Sequence, residues 1–459
     1  MHTVVEVVDR TLDAHQVKDC PVCIALSGGI DSVVLLSVLD ELAAGRELRL
    51  SAVHVNHGLS AHALRWEEFC RLLCAKRGLP LVVEKVRVSR DSGLGLEAAA
   101  RVARYSVFSQ QSANYLALAH HLDDQIETFL IQLLRGAGAS GLSAMPVLRD
   151  YASAFGKTMQ QGPALLRPML QVPRAAIADF ARPHGLQWVE DESNEDVSLD
   201  RNFLRREVLP LIAARFPAYR ETVSRAAKNL TDVASLADAL ARIDAQAAGV
   251  DAGLDIAFLR ALAPPRALNV LRHLFSREGL EPPRRRALEE ALRQSLAARC
   301  DSQMRVDFGQ HSLRRFRDRI FLVRNATFPV GWCAQWRGEP RIALPNELGL
   351  LRFALSAGTG FSSARISSAP VSIRPRQGGE RISLAHNRPH RDLRHLFQEA
   401  GIAPWERNRI PLVFCGTALA CVPGIGVAAE FQARPGEAAI CVTWERAEAH
   451  KSARPEGPD

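Results

Sequence analysis

One short stretch limits what this chain can fold into, because it joins a strand to a helix through two adjacent glycines. Val22 to Leu26 is an apolar run of strand length, and apolar residues recur at helical spacing from Val33 to Leu42. The turn between them, residues 27–32, reads Ser-Gly-Gly-Ile-Asp-Ser. Adjacent glycines let the backbone approach a bulky anion, and the N–H groups that begin the helix point to the same place. The stretch therefore predicts a phosphate-binding loop after the first strand of an α/β fold.

Asp31 places a carboxylate beside this loop. It would repel phosphate unless a hard cation such as Mg²⁺ lay between them. The loop lacks the lysine and the spacing of a Walker A motif. The alternative interpretation is an ordinary turn that is capped by Asp31 or Ser32 and binds nothing. The order Ser-Gly-Gly-x-Asp-Ser directly after a strand favours a binding loop.

Residues 27–32 resemble the PP-loop of the N-type ATP pyrophosphatases, which attack ATP at its α-phosphate and release pyrophosphate. The resemblance implies that the phosphates of ATP are held by Ser27, Gly28, Gly29, Ile30, Asp31 and Ser32. It identifies the nucleotide and the bond that breaks, and it leaves the acceptor open.

Composition narrows the class of protein. A length of 459 residues suggests roughly two to four domains, and 47% apolar residues are ample for hydrophobic cores. We expect no membrane span, because no apolar run reaches roughly 18 residues, and no signal peptide, because Glu6, Asp9 and Asp13 interrupt the first twenty residues. The net charge of +8 favours a polyanionic partner. Nine scattered cysteines suit the reducing cytoplasm, and we interpret the CxxC pair at Cys20 and Cys23 as core residues.

Strand and helix patterns alternate through the first two hundred residues. After the first unit, we predict strands at 48–55, 81–88 and 115–119, and helices at 66–77, 96–111 and 123–135. This order predicts a doubly wound, mostly parallel sheet of the Rossmann-like α/β class. Ligands of such sheets bind beyond the carboxyl ends of the strands, so polar motifs should follow the strands.

The second strand ends in His-Val-Asn-His-Gly, residues 54–58. Alternation predicts His54 and Asn56 on one face and His57 in the loop, where an imidazole can stack on or hydrogen-bond a nucleotide base.

The fourth strand ends in residues 120–128, which read His-His-Leu-Asp-Asp-Gln-Ile-Glu-Thr. We predict that His121 and Asp123 face the same cleft as Asp31. Two carboxylates facing one phosphate loop are what an Mg²⁺-ATP site needs.

Some of these residues have simpler interpretations. Asp124 and Glu127 have the spacing of a capping box, and Glu97 and Arg101 have the spacing of a helical surface ion pair. The glycine-rich residues 136–141 predict a mobile loop that can close over a substrate.

Several motifs together resemble the tRNA(Ile)-lysidine synthetases, PP-loop enzymes that couple free lysine to the wobble cytidine of an isoleucine tRNA. Ser60 and Met169 depart from residues that are frequent in the family. The matching motifs are SGGIDS at 27–32, HVNHGL at 54–59, EAAAR at 97–101, HHLDDQIETFLIQLLRGAG at 120–138, RPML at 167–170, DESN at 191–194, and Arg201, Asn202 and Arg205.

The resemblance implies a two-step reaction that uses ATP and Mg²⁺. The cytidine O2 attacks the α-phosphorus of ATP, and the lysine ε-amine then attacks C2 and releases AMP. The implied partners are a CAU-anticodon isoleucine tRNA and free L-lysine. The residues assigned to catalysis are Asp31, Asp123, Asp124, Arg101 and His121. Asp31 and Asp123 are the predicted Mg²⁺ ligands, and His57 joins residues 27–32 in binding the nucleotide.

Arginine clusters recur through the rest of the chain. We predict a catalytic domain at 1–217, a helical and mixed tRNA-binding domain at 218–358, a small α+β recognition domain at 371–445 after a Ser/Gly-rich linker, and a disordered tail at 446–459. Arginine with interspersed Trp and Phe suits phosphate contacts and base stacking. The predicted tRNA contacts are Arg201, Arg205, Arg374, Arg376, Arg394, Trp405 and Arg407.

Two other functions stay open at this stage. A PP-loop tRNA thiolase would need reactive or cluster-binding cysteines, and a non-catalytic tRNA-binding protein would retain only a degenerate nucleotide fold. The intact loop at 27–32 argues against the second. The sequence leaves open whether the chain forms a homodimer.

Overall fold

The computed structural model describes residues 3–88, 95–151, 162–299, 304–325, 331–345 and 348–446. They form two compact units, Met1–Ile243 with Arg272–Pro282, and Asp244–Leu271 with Pro283–Asp459. The predicted disordered tail lies, from residue 447 onward, outside the described residues.

The first unit is built on a six-stranded sheet of order β3-β2-β1-β4-β6-β5. Strands β1 to β4 and β6 run parallel, and β5 is an antiparallel edge strand. The predicted doubly wound sheet is therefore confirmed. The strands are β1 Pro21–Ala25, β2 Arg49–Asn56, β3 Leu81–Lys85, β4 Tyr115–Ala117, β5 Leu148–Arg149 and β6 Ala164–Leu166.

Helices cover both faces of this sheet. Side chains alternate along β1, so Ile24 packs with Val8 and Leu35 on one face, while Cys23 packs with Phe108 on the other. The helices are α1 Val4–Ala14, α2 Ile30–Arg46, α3 Ala63–Lys76, α4 Leu96–Phe108, α5 Leu122–Leu134, α6 Ala139–Leu142, α7 Arg174–Ala181, α8 Asp200–Phe203, α9 Leu209–Arg215 and α10 Tyr219–Ala247. A π-helical turn, Leu204–Val208, joins α8 to α9.

The second unit begins with helices and continues as antiparallel sheets. A four-stranded sheet of order β7-β10-β9-β8 follows the helices. Its first strand, β7, lies ahead of these helices, inside the domain at 218–358 that the sequence predicts to be helical and mixed. These elements are β7 Leu254–Asp255, α11 Ile256–Ala261, α12 Pro264–Arg277, α13 Arg285–Ala297, β8 Arg305–Phe308, β9 His311–Phe316 and β10 Arg319–Arg324.

The remainder of the second unit contains a five-stranded sheet of order β11-β15-β18-β19-β20, a four-stranded sheet of order β12-β13-β21-β14, and a two-stranded ribbon. Its elements are β11 Ala334–Trp336, β12 Arg341–Ala343, β13 Leu350–Ala357, β14 Phe361–Ser362, α14 Ser363–Ile366, β15 Val371–Arg374, β16 Arg381–Ile382, β17 Arg391–Asp392, α15 Leu393–Glu399, α16 Pro404–Arg407, β18 Leu412–Cys415, β19 Ala418–Val422, β20 Gly426–Val427 and β21 Ala438–Glu445.

The predicted linker at 357–370 is a folded part of this body. It contains β14 and α14, and Phe361 is completely buried in the same core as Phe353 and Phe397. Strand β13 pairs along its whole length with β21, from Leu350–Glu445 to Ala357–Ala438. The predicted boundary between residues 358 and 371 therefore falls inside a folded core, because the Ser/Gly composition does not reveal the buried aromatic.

Within the glycine-rich residues 136–141, the short helix α6 begins at Ala139. Closure of this segment over a substrate stays a prediction. In the part of the chain that the structure describes, no helix is both long enough and apolar enough to cross a membrane.

Candidate active site

The predicted phosphate-binding loop lies between β1 and α2, at the carboxyl edge of the sheet. Gly29 is the N-cap residue of α2, and no described side chain caps the first turn. The loop is instead tied by its serines, since Ser32 Oγ accepts hydrogen bonds from the Gly28 N–H and from Ser27 Oγ, both at 3.1 Å. A turn capped by Asp31 or Ser32 is therefore the wrong interpretation. An uncapped helix start is suited to hold an anion.

Gly28 allows this loop to pack closely against its neighbours. Its φ is +91°, and a Cβ atom there would lie 2.9 Å from Val189 Cγ2 and 3.3 Å from Cys70 Sγ. The Val189 N–H donates a hydrogen bond to the Gly28 carbonyl at 3.0 Å, which fixes that neighbour. Only glycine meets both the backbone and the steric demand.

His121 lies between two carboxylates at the loop. Its Nε2 is 3.7 Å from Asp31 Oδ1 and 3.5 Å from Asp124 Oδ2. Asp31 Oδ1 is buried and has no hydrogen-bond partner. Burial raises the pKa of Asp31, the His121 ring opposes that rise, and the charge of Asp124 adds to it. An orphaned carboxylate oxygen beside an anion-binding loop fits a cation that arrives together with phosphate.

Asp124 has a second role at the start of α5. The helix begins at Leu122 with His121 as its N-cap, and Asp124 Oδ2 accepts a hydrogen bond from the His121 N–H at 3.0 Å. The predicted capping pair of Asp124 and Glu127 is wrong, because it would require the helix to begin after Asp124.

Asp123 is engaged by two other elements. Its Oδ2 accepts a hydrogen bond from the Arg174 N–H at 2.9 Å, and its Oδ1 accepts one from Arg220 Nε at 2.7 Å. Burial raises the pKa of Asp123, but these two donors outweigh burial and hold the pKa below its ordinary value. Asp124 is therefore better placed than Asp123 to act together with Asp31. Catalysis and Mg²⁺ binding by Asp123 stay predictions.

Glu127 and Arg205 form a buried ion pair behind these carboxylates. Glu127 is completely buried, and Arg205 binds it through two nitrogens, at 2.7 and 3.0 Å. Arg205 Nη2 also lies 3.5 Å from Asp124 Oδ1. The structure thus places Arg205, a predicted tRNA contact, within the carboxylate cluster of the site.

The end of β2 supports the loop from the other side. His54 Nδ1 lies 2.8 Å from the Leu26 carbonyl, directly before the loop, and Asn56 donates a hydrogen bond to Glu67 Oε2 at 2.9 Å. His57 Nε2 accepts a hydrogen bond from Arg104 Nε at 3.3 Å. Burial, with the nearby Arg104 and His54, lowers the pKa of His57 to about 4. His57 is therefore neutral near pH 7 and suited to stacking or hydrogen bonding.

A cavity of about 490 Å³ opens beside the start of α2. Its lining combines arginines and carboxylates with apolar side chains, and two of the arginines pair with two of the carboxylates. Its walls include Ile30, Asp123, Arg174, Trp188, Arg205 and Arg220.

The predicted residues Arg101 and Arg201 lie near this site but outside the carboxylate group. Arg101 is exposed on α4, where its guanidinium lies 4.9 Å from the centre of the Tyr105 ring. Arg201 Nη2 donates a hydrogen bond to Thr128 Oγ1 at 3.2 Å.

The other predicted tRNA contacts belong to the second unit. Trp405 packs edge-on against Phe316 and Phe321, with ring centroids 6.1 and 5.6 Å apart, so it has a structural role that the sequence did not reveal. RNA stacking by Trp405 stays a prediction. Arg374 stacks on Phe414, and Arg376 stacks on Phe397 and pairs with Glu380. Arg407 donates a hydrogen bond to the Ile402 carbonyl. Arg394 is exposed.

Sequence reasoning missed Arg174, Arg220 and Val189. Arg220 lies 97 residues from the carboxylate that it binds, and no local motif distinguishes it. A signal for Arg174 was available in Pro173, which lies directly before α7. A proline there marks the start of a helix, and the first N–H groups of a helix need acceptors.

No group of three or more His, Cys, Asp or Glu side chains is arranged to hold a metal ion by itself within the described residues. Mg²⁺ is commonly held by one or two carboxylates together with substrate phosphates and water. Asp31, with its unpartnered oxygen, and the nearby Asp124 fit that mode of binding.

Comparison with known proteins agrees with this geometry. Residues 4–212 match the model of a PP-loop domain, residues 254–321 that of the TilS substrate binding domain, and residues 371–444 that of the TilS substrate C-terminal domain. The tRNA(Ile)-lysidine synthase of Nitrosomonas europaea is 42% identical over 92% of this chain and 91% of its own length. The same enzyme of Alkalilimnicola ehrlichii is 40% identical over 91% and 93%, and that of Coxiella burnetii is 35% identical over 90% and 91%. The chain belongs to the tRNA(Ile)-lysidine synthase family.

Proposed function

We propose that this protein is an ATP-dependent ligase that joins L-lysine to C2 of the wobble cytidine in a CAU-anticodon isoleucine tRNA. The observation that carries the proposal is the unpartnered Asp31 oxygen beside an uncapped PP-loop helix, in a chain about 40% identical to tRNA(Ile)-lysidine synthases over most of its length. Both substrates are available in the cytoplasm, where we expect the protein to act.

The first step would be attack of the cytidine O2 on the α-phosphorus of ATP, which forms an adenylated base and expels pyrophosphate. A carbonyl oxygen is a poor leaving group until adenylation converts it to a phosphate ester. The N–H groups at the start of α2 would hold the phosphates, and Ser27 and Ser32 would keep the loop in shape. His57, neutral and beside Arg104, would contact the nucleotide base or sugar.

Asp31, assisted by Asp124, would hold Mg²⁺ at the phosphates. When bound, the ion supplies positive charge to the departing pyrophosphate. His121, between the two carboxylates, would keep them in fixed positions before ATP arrives.

In the second step, the lysine ε-amine would attack C2 of the adenylated base and expel AMP. The amine must lose protons as the new C–N bond forms, and a carboxylate within reach can accept one. We propose Asp124 for this role, because it lies with His121 in the carboxylate group beside the loop. Arg101 would steady the developing charge or the lysine carboxylate, as the family resemblance implies.

We further propose that residues 218–358 and 371–445 bind the tRNA, with Arg374, Arg376, Arg394 and Arg407 on its phosphates. Deleting the C-terminal region would not test this cleanly, because β21 completes the sheet of β13. Charge reversal at exposed Arg394 is a better probe. We expect weaker tRNA binding with unchanged pyrophosphate release at saturating tRNA.

The main experiment follows the label of α-labelled ATP and, in parallel, the release of pyrophosphate, with unmodified isoleucine tRNA and with or without lysine. The proposal predicts an adenylated tRNA without lysine, and AMP with lysine-containing tRNA when lysine is added. Release of ADP, or release that does not depend on tRNA, would refute it.

A tRNA thiolase is the second candidate, and the cysteines disfavour it. Cys20 lies directly before β1 and Cys23 lies in the middle of that strand, so both are away from the carboxyl edge where the PP-loop lies. Both are buried, and burial raises the pKa of Cys23 to about 11, so its thiol is a poor nucleophile.

A further inference from the structure

A second group of charged side chains lies at the carboxyl edge of the sheet, and the mechanism above uses only Arg101 from it. The group gathers where β4 and β6 end, with contributions from α4 and α8. We call it the Arg167 cluster; its members are Arg101, Tyr105, His120, Arg149, Arg167 and Arg201.

Arg167 is the buried centre of this cluster. It is 5% exposed, its Nη1 donates a hydrogen bond to the Pro146 carbonyl at 2.9 Å, and its Nε has no hydrogen-bond partner. Burial lowers the pKa of Arg167; the Tyr105 hydroxyl opposes this, while the like charges of Arg149 and Arg101 add to it. A buried guanidinium surrounded by other cations is unfavourable unless an anion neutralises it.

His120 supplies a second polar atom without a partner. Its Nδ1 is buried and makes no hydrogen bond. Burial lowers the pKa of His120 to about 3; Asp124 opposes this, and the charges of Arg167, Arg201 and Arg101 add to it. The ring is therefore neutral near pH 7, and a neutral imidazole can still donate one hydrogen bond to an anion.

Building on the proposed function, we propose that the Arg167 cluster binds a backbone phosphate of the RNA next to the nucleotide that is modified. Guanidinium groups pair with phosphate oxygens through parallel hydrogen bonds. Several arginines around one buried donor suit a phosphodiester within a polyanion better than the single carboxylate of an amino acid. The cluster shares its sheet edge with the PP-loop, because β4 lies between β1 and β6. A phosphate bound there would hold the adjoining nucleotide near ATP.

Arg167→Gln tests the proposal, with Arg182→Gln as the matched control, since Arg182 is 73% exposed on its side chain. Pyrophosphate release is measured against tRNA concentration at several salt concentrations. We expect the KM for tRNA to rise at least about tenfold and the slope of log(kcat/KM) against log salt to shrink by about 0.7 to 0.9, as for one lost phosphate contact. The KM for lysine should not change.

Neutral methylphosphonates placed one at a time beside the wobble nucleotide identify the phosphate. At one position, the methylphosphonate should raise the KM for tRNA of the unmodified enzyme. The same substitution should not raise the KM of the Arg167→Gln variant any further. A raised KM for lysine with an unchanged KM for tRNA would assign the cluster to a carboxylate and overturn the proposal. The proposal would also be overturned if Arg167→Gln and Arg182→Gln had the same KM for tRNA and the same salt slope.

Arg167→Lys keeps the positive charge and serves if Arg167→Gln does not fold. It should retain the salt slope and lose part of the affinity. If the unmodified enzyme released no pyrophosphate with tRNA, the proposed function would be wrong, independently of the Arg167 cluster. Filter binding of the methylphosphonate RNAs would still test the cluster.

Discussion

Replacing Gly28 with alanine tests the close packing of the PP-loop. An alanine at a φ of +91° pays about 1–2 kcal/mol for a left-handed backbone. Its Cβ would also lie 2.9 Å from Val189 Cγ2, a stiff side chain whose backbone is hydrogen-bonded to Gly28. Overpacking of this kind costs about 1–3 kcal/mol. The sum is about 2–5 kcal/mol.

That strain can appear as lost stability or as a displaced loop. If the loop moves, the N–H groups at the start of α2 move with it, and kcat/KM for pyrophosphate release should fall by about 30-fold to 5,000-fold. If the loop stays in place, the strain should lower stability instead. Native-state hydrogen exchange should then show that the free energy of opening for the amides of β1 and α2 falls by the same amount.

Gly78→Ala is the matched control. Gly78 has a φ of +64° and nothing within 4 Å of a Cβ atom, and it lies at the end of α3, away from the loop. It should lose about 1–2 kcal/mol of stability and no activity. The steric reasoning would be refuted if Gly28→Ala matched Gly78→Ala in both hydrogen exchange and kcat/KM.

Three further substitutions or measurements address other parts of the molecule. Asp31→Asn should slow pyrophosphate release by about 100-fold or more. Because burial raises the pKa of Asp31, the unmodified enzyme should lose activity on acidification at a pH above the ordinary aspartate range. The residual rate of the variant should not change with pH over that range. Trp405→Ala should destabilise the second unit by about 1–3 kcal/mol in urea titrations, since it removes two edge-on contacts with phenylalanines from a half-buried ring. Unchanged stability with weaker tRNA binding would instead support a stacking role. In mass spectrometry after brief alkylation, exposed Cys333 and Cys441 should react before Cys70, whose pKa burial raises to about 12; early labelling of Cys70 would contradict the packing under the loop.

Local patterns in the sequence were sufficient for the catalytic fold. The four predicted strands match β1 to β4, and the predicted helices match α2 to α5 with shifts of a few residues at the ends. Apolar periodicity and glycine positions are read from neighbouring residues, so these elements follow from local chemistry. The linker at 357–370 was misread because its packing partner, β21, lies about eighty residues away.

The same distinction applies to the site. Residues 27–32 were sufficient by themselves to predict a glycine loop between a strand and a helix, next to a carboxylate, because turns and helix starts depend on adjacent residues. That no side chain caps this helix became clear only from the structure. Only the tertiary structure decided what each carboxylate does. Glu127 meets Arg205 from 78 residues away and Asp123 meets Arg220 from 97, whereas the Asp31 Oδ1 atom has His121 at 3.7 Å and no hydrogen bond. Charges pair according to distance in space and burial, and neither is encoded in the spacing of residues along the chain.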